Sequence, residues 1–264
     1  MKIKNLKCRL CNKYSIFLFK KKILKKYIIN YFKCKNCESI QTENPYWLKE
    51  AYKEWLTKFD TGIFSRVSLN FLVSFLLCKI FNLSNIIDYG GGDGLFTRIL
   101  RDYHLNCYNY DAYSKSIYAK NFTKPNFKKA DMVTSFEAVE HFSNPQKEFN
   151  KMFKFKPHFA LITTKLFSGQ KKNWDYFEYE TGQHIFFYTK KALRIIAKKF
   201  SYNIVYLEYG YILFYSKKYK LSNVSIFMLK NILIKRKFFP FIKIFAMFFN
   251  SNGYEKDYIK SKYN

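Results

Sequence analysis

Apolar residues along this chain follow two rhythms, and the changes between them predict the elements. In residues 85–101 a short apolar run, Ile86 and Ile87, ends in Asp88. Gly90, Gly91, Gly92 and Gly94 come next, and Leu95, Phe96, Ile99 and Leu100 then recur at helical spacing. The order predicts strand, tight turn, helix. Glycines allow positive φ and leave out Cβ atoms where a ligand touches backbone. The helix behind them aims its unpaired N–H groups and the positive end of its dipole at the loop. Upstream, Trp47, Leu48, Ala51, Tyr52, Trp55, Leu56 and Phe59 predict one helix, broken at Asp60-Thr61-Gly62. A second apolar helix is expected over roughly 66–81, with both helices packed on the sheet.

Downstream, Tyr108-Asn109-Tyr110-Asp111 reads as a second strand ending in an acid, and residues 131–135 and 159–164 read as further strands. Thr189 is placed to cap a helix over 190–200. Residues 202–209 and 211–216 alternate apolar with polar positions, as a closing hairpin turned at Gly210 does. Asp111 sits where the second strand of a doubly wound sheet meets its nucleotide crevice. A carboxylate there can accept from both ribose hydroxyls; the alternative is an aspartate of a surface turn.

Composition adjusts this picture in three ways. The 264 residues suit one main domain with a small attachment, and 48% hydrophobic content points to a packed core. The net charge of +28 points to an anionic partner or membrane surface, or to the Lys-, Ile-, Asn-, Tyr- and Phe-rich codon bias of an A- and T-rich genome. The start of the chain is charged and carries Cys8 and Cys11 where a secretory signal needs an apolar core. No run is long enough to span a membrane, since 71–81 is short and interrupted by Ser74 and Lys79. A cytoplasmic protein with reduced thiols is therefore expected.

Under reducing conditions paired cysteines point to metal. Cys8-Arg-Leu-Cys11 and Cys34-Lys-Asn-Cys37 each form a knuckle able to give two thiolates, and four thiolates make a closed, structural Zn2+ site. Their 22-residue separation is a little long for a zinc ribbon. Residues 14–19 and 27–32 are β-prone and can bring the second knuckle back to the first. Cys78 and Cys107 stand alone and read as core.

The glycine spacing departs from the dinucleotide fingerprint, because the third glycine of the 90, 92, 94 set comes one residue early. With Asp88 before it, D-x-G-x-G-x-G after a strand resembles the first motif of class I S-adenosylmethionine-dependent methyltransferases. The stretch Asp131-Met-Val-Thr-Ser, followed by Glu137-Ala-Val-Glu140-His141-Phe142 and Asn144-Pro145, is similar to the fourth-strand region of their small-molecule branches. A third likeness lies in Gly182-Gln183-His184-Ile185-Phe186-Phe187-Tyr188-Thr189. Together with the four-cysteine module, the chain resembles methyltransferases of bacterial sugar and surface-polysaccharide gene clusters. The resemblance covers residues 60–215. It implies an α/β, Rossmann-like doubly wound sheet with a small N-terminal zinc-ribbon-like module. It also implies S-adenosyl-L-methionine held by Asp88, Gly90, Gly91, Gly92, Gly94, Asp111 and Glu137. One departure stands out: 121–129 is a short, Lys-rich link where many members carry a third strand that contacts adenine.

The expected organisation is a module at 1–45, a helical connector at 46–84, the cofactor-binding domain at 85–216 and a basic amphipathic tail at 217–264. The tail, interrupted by Pro240, either packs on the core or rests on an anionic membrane surface. The expected reaction moves a methyl group to a sugar, sugar nucleotide or glycan, with His184 first and His141 second as the base that removes the acceptor's proton. Glu140 and His141 can instead simply anchor the loop. Two other functions remain open: an RNA methyltransferase that uses the module and the positive charge, and a non-catalytic zinc-ribbon binding protein.

Overall fold

The computed structural model describes residues 6–53, 62–219, 221, 226 and 253–263. Trp55, Leu56, Phe59, Asp60, Thr61 and most of the tail, Pro240 included, lie outside the described residues. In chain order the first elements are β1 (Leu6–Lys7), β2 (Tyr14–Ile23), β3 (Tyr27–Cys34), β4 (Ile40–Thr42), α1 (Leu48–Ala51), α2 (Ile63–Phe81), β5 (Asn85–Tyr89), α3 (Leu95–Asp102), β6 (Asn106–Tyr110) and β7 (Met132–Phe136). They are followed by α4 (Pro145–Lys154), β8 (Phe159–Thr163), β9 (Phe186–Phe187), α5 (Lys190–Phe200), β10 (Tyr202–Tyr206), β11 (Tyr211–Ser216) and α6 (Gly253–Tyr263). The chain divides into two compact units.

The first unit is drawn from Met1–Thr61, Glu137–Lys151 and Thr164–Tyr202. Its sheet has the order β1-β2-β3-β4-β9, so the earliest and a much later part of the sequence share one sheet. The two β-prone segments form the β2/β3 hairpin, turning at Leu24 and Lys25 with φ of 48° and 54°. Positive φ at both central residues matches the right-handed twist of the strands. Ile40 pairs with Phe187 to bring β9 against β4. Trp47, Tyr31, Ile29, Phe177 and Phe187 form the buried core of this unit. The indole of Trp47 donates to the Gly182 carbonyl at 2.8 Å. The helix expected from Trp47 onward is one short turn, α1, before the described stretch ends. Thr189 does cap α5, its hydroxyl accepting from Ala192 N–H at 3.0 Å.

The second unit is drawn from Gly62–Phe136, Met152–Thr163 and Asn203–Asn264. Its sheet has the order β10-β11-β8-β7-β5-β6. Pairs β5/β6, β5/β7 and β7/β8 are parallel, and β8/β11 is antiparallel. Every residue of β8 is buried, which is why it reads as an unbroken apolar run without alternation. The expected closing hairpin is β10 and β11, joined through Glu208–Gly210.

Helix α2 begins at Ile63, earlier than expected, and its 19 residues are long and apolar enough to cross a membrane by length and composition alone. Its Phe71, Leu72, Val73, Phe75, Leu77 and Cys78 are buried in the core of this unit. Cys78 and Cys107 are core residues, as expected.

Among the described residues, neither strand nor helix lies between Asp111 and Asp131, so β6 is the edge of its sheet. The link covers that edge. Asn109 N–H donates to the Phe122 carbonyl at 2.8 Å, and Tyr108 meets Phe122 and Phe127 edge-on. The Arg101 guanidinium lies 3.5 Å from the centre of the Phe122 ring. An exposed edge invites pairing with another chain, and this cover blocks it.

Arg101 also fixes α6. It holds Asp257 through two hydrogen bonds, of 2.6 and 2.7 Å, and Arg98 adds a third at 2.8 Å. A side chain at Gly253 would place its Cβ 2.1 Å from the Arg101 carbonyl, so α6 lies close on α3. Removing one partner of a buried bidentate pair leaves the other charge uncompensated, at a cost of about 3–5 kcal/mol. Asp257→Ala is therefore expected to lower the melting temperature by several degrees and to speed proteolytic removal of the C-terminal helix. Calorimetry and limited proteolysis would check this; an unshifted melt would show that the pair does not hold α6.

Candidate functional site

The loop between β5 and α3 is built from below. Asp88, at 2% exposure, accepts from Thr134 Oγ1 at 3.1 Å and from Thr97 Oγ1 at 3.2 Å. Burial pushes its carboxyl up to about 7. A Cβ at Gly91 would lie 2.2 Å from Asp88 Oδ2 and 2.3 Å from Asn109 Oδ1. Position 91 is thus glycine because the protein's own carboxylate and amide fill the space, which the sequence reading had reserved for a ligand. Gly94 has φ of 84° and opens α3, a conformation that side chains rarely adopt.

The rim of the loop is fixed from β6. Asp111 follows that strand, accepting from Gly92 N–H at 3.0 Å and from the amides of Tyr113 and Ser114 at 2.8 Å each. The Asn109 side chain donates to the Gly92 carbonyl at 3.0 Å. The structure therefore brings Asp88, the four glycines and Asp111 together. The loop lies at the carboxyl ends of β5 and β7, where the strand order reverses, which is the crevice position of open α/β sheets. A carboxylate ending the neighbouring strand and glycine amides at a helix start form a donor and acceptor set suited to a nucleoside. Asn109, Thr97 and Thr134 belong to this construction and were missed. The signal available for Asn109 was its position two residues before Asp111.

Glu137 follows β7 with φ of 48°, an uncommon conformation for a residue with a side chain, and it is exposed. It falls in the first unit, with His141 and His184. Those two histidines meet with ring centres 4.8 Å apart. His184 Nδ1 donates to the Tyr176 carbonyl at 2.7 Å. His141 Nδ1 lies 3.1 Å from the Gln183 carbonyl and 2.9 Å from the Tyr52 hydroxyl. Glu140, read from sequence only as an anchor, is fully buried beside them, and Tyr176 donates to its Oε1 at 2.5 Å. Burial raises the Glu140 carboxyl to about 8, lowers His141 to about 4 and lowers His184 well below its ordinary value. Both rings are neutral at pH 7, as a proton acceptor or metal ligand must be.

The four cysteines of the knuckles converge in the same unit. Cys8 and Cys37 sulfurs lie 3.6 Å apart, and those of Cys11 and Cys34 lie 3.5 Å apart. A disulfide needs about 2.05 Å. Bonds of 2.3 Å from one tetrahedral zinc put sulfurs roughly 3.8 Å apart, close to what is seen. The amides of Asn36 and Cys37 donate to Cys34 Sγ. The donor set fits a structural zinc ion. Arg9, between the cysteines of the first knuckle, was missed: it donates to the Ile185 carbonyl at 2.6 Å.

A methyltransferase-domain family model matches residues 64–207, more than half of the chain. No curated protein matches in sequence. The methyltransferase domain of bacterial CtHen1-C is 17% identical, with a TM-score of 0.41 over 56% of this chain and 97% of that one. Magnesium protoporphyrin IX methyltransferase from Synechocystis PCC 6803 is 12% identical, with a TM-score of 0.43 over 63% of this chain and 90% of that one. An O-methyltransferase family protein from Burkholderia thailandensis is 14% identical, with a TM-score of 0.40 over 65% of this chain and 67% of that one. With the glycine loop and the parallel strand order in place, the family match shows that the chain belongs to the methyltransferase-domain family and is a class I S-adenosylmethionine-dependent methyltransferase.

Proposed function

We propose that the protein transfers the methyl group of S-adenosylmethionine to an oxygen-bearing small molecule, a sugar, sugar nucleotide or glycan. The observation that carries the reading is the loop held by Asp88 from below and by Asp111 from the side. Asp111 takes the ribose hydroxyls, the amides of the glycine loop face the amino-acid end of the donor, and Glu137 is assigned to the donor from the family resemblance alone. The donor supplies an electrophilic methyl group on a sulfonium, and the protein aligns the acceptor with it.

His184 first, and His141 second, assist loss of the acceptor's proton. Aromatic rings frame His184: Tyr176 with its ring centre at 4.5 Å and Phe187 at 6.5 Å. Cys8, Cys11, Cys34 and Cys37 hold a structural zinc ion whose binding energy supports folding of the small sheet around them. A cytoplasmic setting keeps those thiols reduced.

A second reading, RNA as acceptor, draws on one feature. The β2/β3 hairpin exposes Tyr14, Phe17 and Ile28 between lysines, and Lys191, Arg194, Lys198 and Lys199 line a cavity beside Cys11. Stacking rings beside cations suit single-stranded RNA.

Three outcomes are expected. Asp111→Ala weakens binding of S-adenosylhomocysteine by about tenfold or more, since hydrogen bonds to a charged group contribute about 1.5–3 kcal/mol; an unchanged calorimetric affinity would remove Asp111 from the ribose. His184→Ala lowers turnover by about 10²-fold or more while donor affinity stays the same. Wild-type turnover in that variant would end its assignment to the acceptor. Bulk RNA, if it is the acceptor, dissociates steeply between low and moderate salt; weak, salt-insensitive retention would leave the small-molecule reading alone.

A further inference from the structure

We propose that Glu140, His141 and His184 form a second metal site, distinct from the cysteine cluster, which takes one divalent ion of the first transition row. Their candidate ligand atoms all lie within 4.8 Å of one another, and His184 Nε2 is 4.0 Å from Glu140 Oε1. Bonds of about 2.0–2.2 Å to nitrogen and oxygen require each side chain to draw in by roughly one ångström or less.

Three further features support a site over a packed polar cluster. First, Glu140 Oε2 is fully buried and has no hydrogen-bond partner. Tyr176, itself 3.0 Å from Thr164 Oγ1, serves Oε1 only. Among the described residues no lysine or arginine pairs with Glu140, so one oxygen of its carboxyl group is buried without a hydrogen-bond partner. Second, the His184 imidazole is oriented as a metal ligand is. A carbonyl only accepts, so Tyr176 O places the His184 proton on Nδ1. The other nitrogen of that neutral ring then carries the lone pair, and such backing by a carbonyl fixes tautomer and orientation. Third, His184 and Glu140 are held in mutual register by backbone, since Ile185 N–H donates to the Glu140 carbonyl at 3.0 Å.

Two imidazoles and one carboxylate select manganese, iron, cobalt, nickel or zinc over magnesium or calcium. Three protein ligands also leave coordination positions open, and His141 is only partly buried, so an outside oxygen can reach the ion. Its role rests on the transferase reading: a hydroxyl bound to the ion loses its proton more readily at neutral pH. The existence of the site does not rest on that reading.

The test uses the full chain loaded with one equivalent of zinc, which the four thiolates take first, then titrated with cobalt(II) and followed by visible absorption. One cobalt per chain is expected, with weak d–d bands and without a thiolate charge-transfer band. Glu140→Gln and His184→Asn each raise the cobalt Kd at least tenfold, whereas His104→Asn, outside the cluster, leaves it unchanged. Circular dichroism melts accompany each variant. If a variant fails to fold, the wild-type result decides: no cobalt bound to the zinc-loaded protein overturns the proposal. Cobalt that shows thiolate bands, or that binds equally in folded Glu140→Gln and His184→Asn, overturns it as well. Calorimetry with S-adenosylhomocysteine on the same sample separates the two readings. Uptake of the nucleoside without cobalt removes the metal site alone; cobalt without nucleoside removes the transferase reading and leaves the site.

Discussion

A carboxylate buried beneath a glycine turn governs the second unit. Asp88 is out of water, and the hydroxyls of Thr97 and Thr134 are its compensation. One comes from α3 and the other from β7, so a single side chain ties the strand it ends to the helix and to the neighbouring strand. The loop can lie this low only because position 91 lacks a Cβ. Asp111 and Asn109 then hold Gly92 by its N–H and its carbonyl, which leaves the loop little freedom. Preorganisation of this kind lowers the entropy lost on binding a flexible nucleoside.

The first unit depends on a different device. Its sheet joins residues more than 140 positions apart, as in the pairing of Ile40 with Phe187. Closing so large a loop costs entropy that a small apolar core offsets only in part. Polar ties to the cysteine knuckles share the load: Thr189 donates to the Cys37 carbonyl at 2.6 Å, and Arg9 reaches the Ile185 carbonyl. Burial lowers the Arg9 guanidinium to about 10. A cation so placed is retained because it satisfies several acceptors at once, Gln41 and Thr42 among them.

The parts of this structure that were legible in sequence are those written by local rules. The strand, turn and helix around Gly90–Gly94 follow from hydrophobic rhythm and glycine. The Thr189 cap follows from one hydroxyl before a helical stretch, and the lost third strand from a link with neither period. The convergence of the cysteines was legible because ligand spacing is itself a short-range code. What escaped depends on distant partners. The pairing of β4 with β9 has no local signature. Asn109 looks like any strand residue until Gly91 lies against it. Glu140 is one acid among 19 Asp and Glu, and only burial without a partner for Oε2 marks it out. Helix α2 was read as starting three residues late, and its apolar run as too short to span a membrane, because Ser74 and Lys79 were taken as interruptions of that run. Within a core helix, Ser74 is simply buried, and Lys79 lies over the Phe75 ring at the solvent end.

The two clusters of ligating side chains in the first unit divide structure from chemistry by donor type. Four sulfurs close a tetrahedral shell and leave no place for a reactant, so an ion there acts only through the fold. Glu140, His141 and His184 offer oxygen and nitrogen, and fewer of them, so an ion there keeps room for another oxygen. The backbone links the two in sequence of cause. The knuckle fixes Arg9, Arg9 fixes Ile185, and Ile185 is bonded to Glu140 and follows His184 directly. The segment that carries His184 is thus tied to the knuckle side through Arg9 and Ile185. Rigid placement matters more for the second cluster than for the first. A misplacement of about 1 Å at a reacting centre can cost 10²-fold in rate.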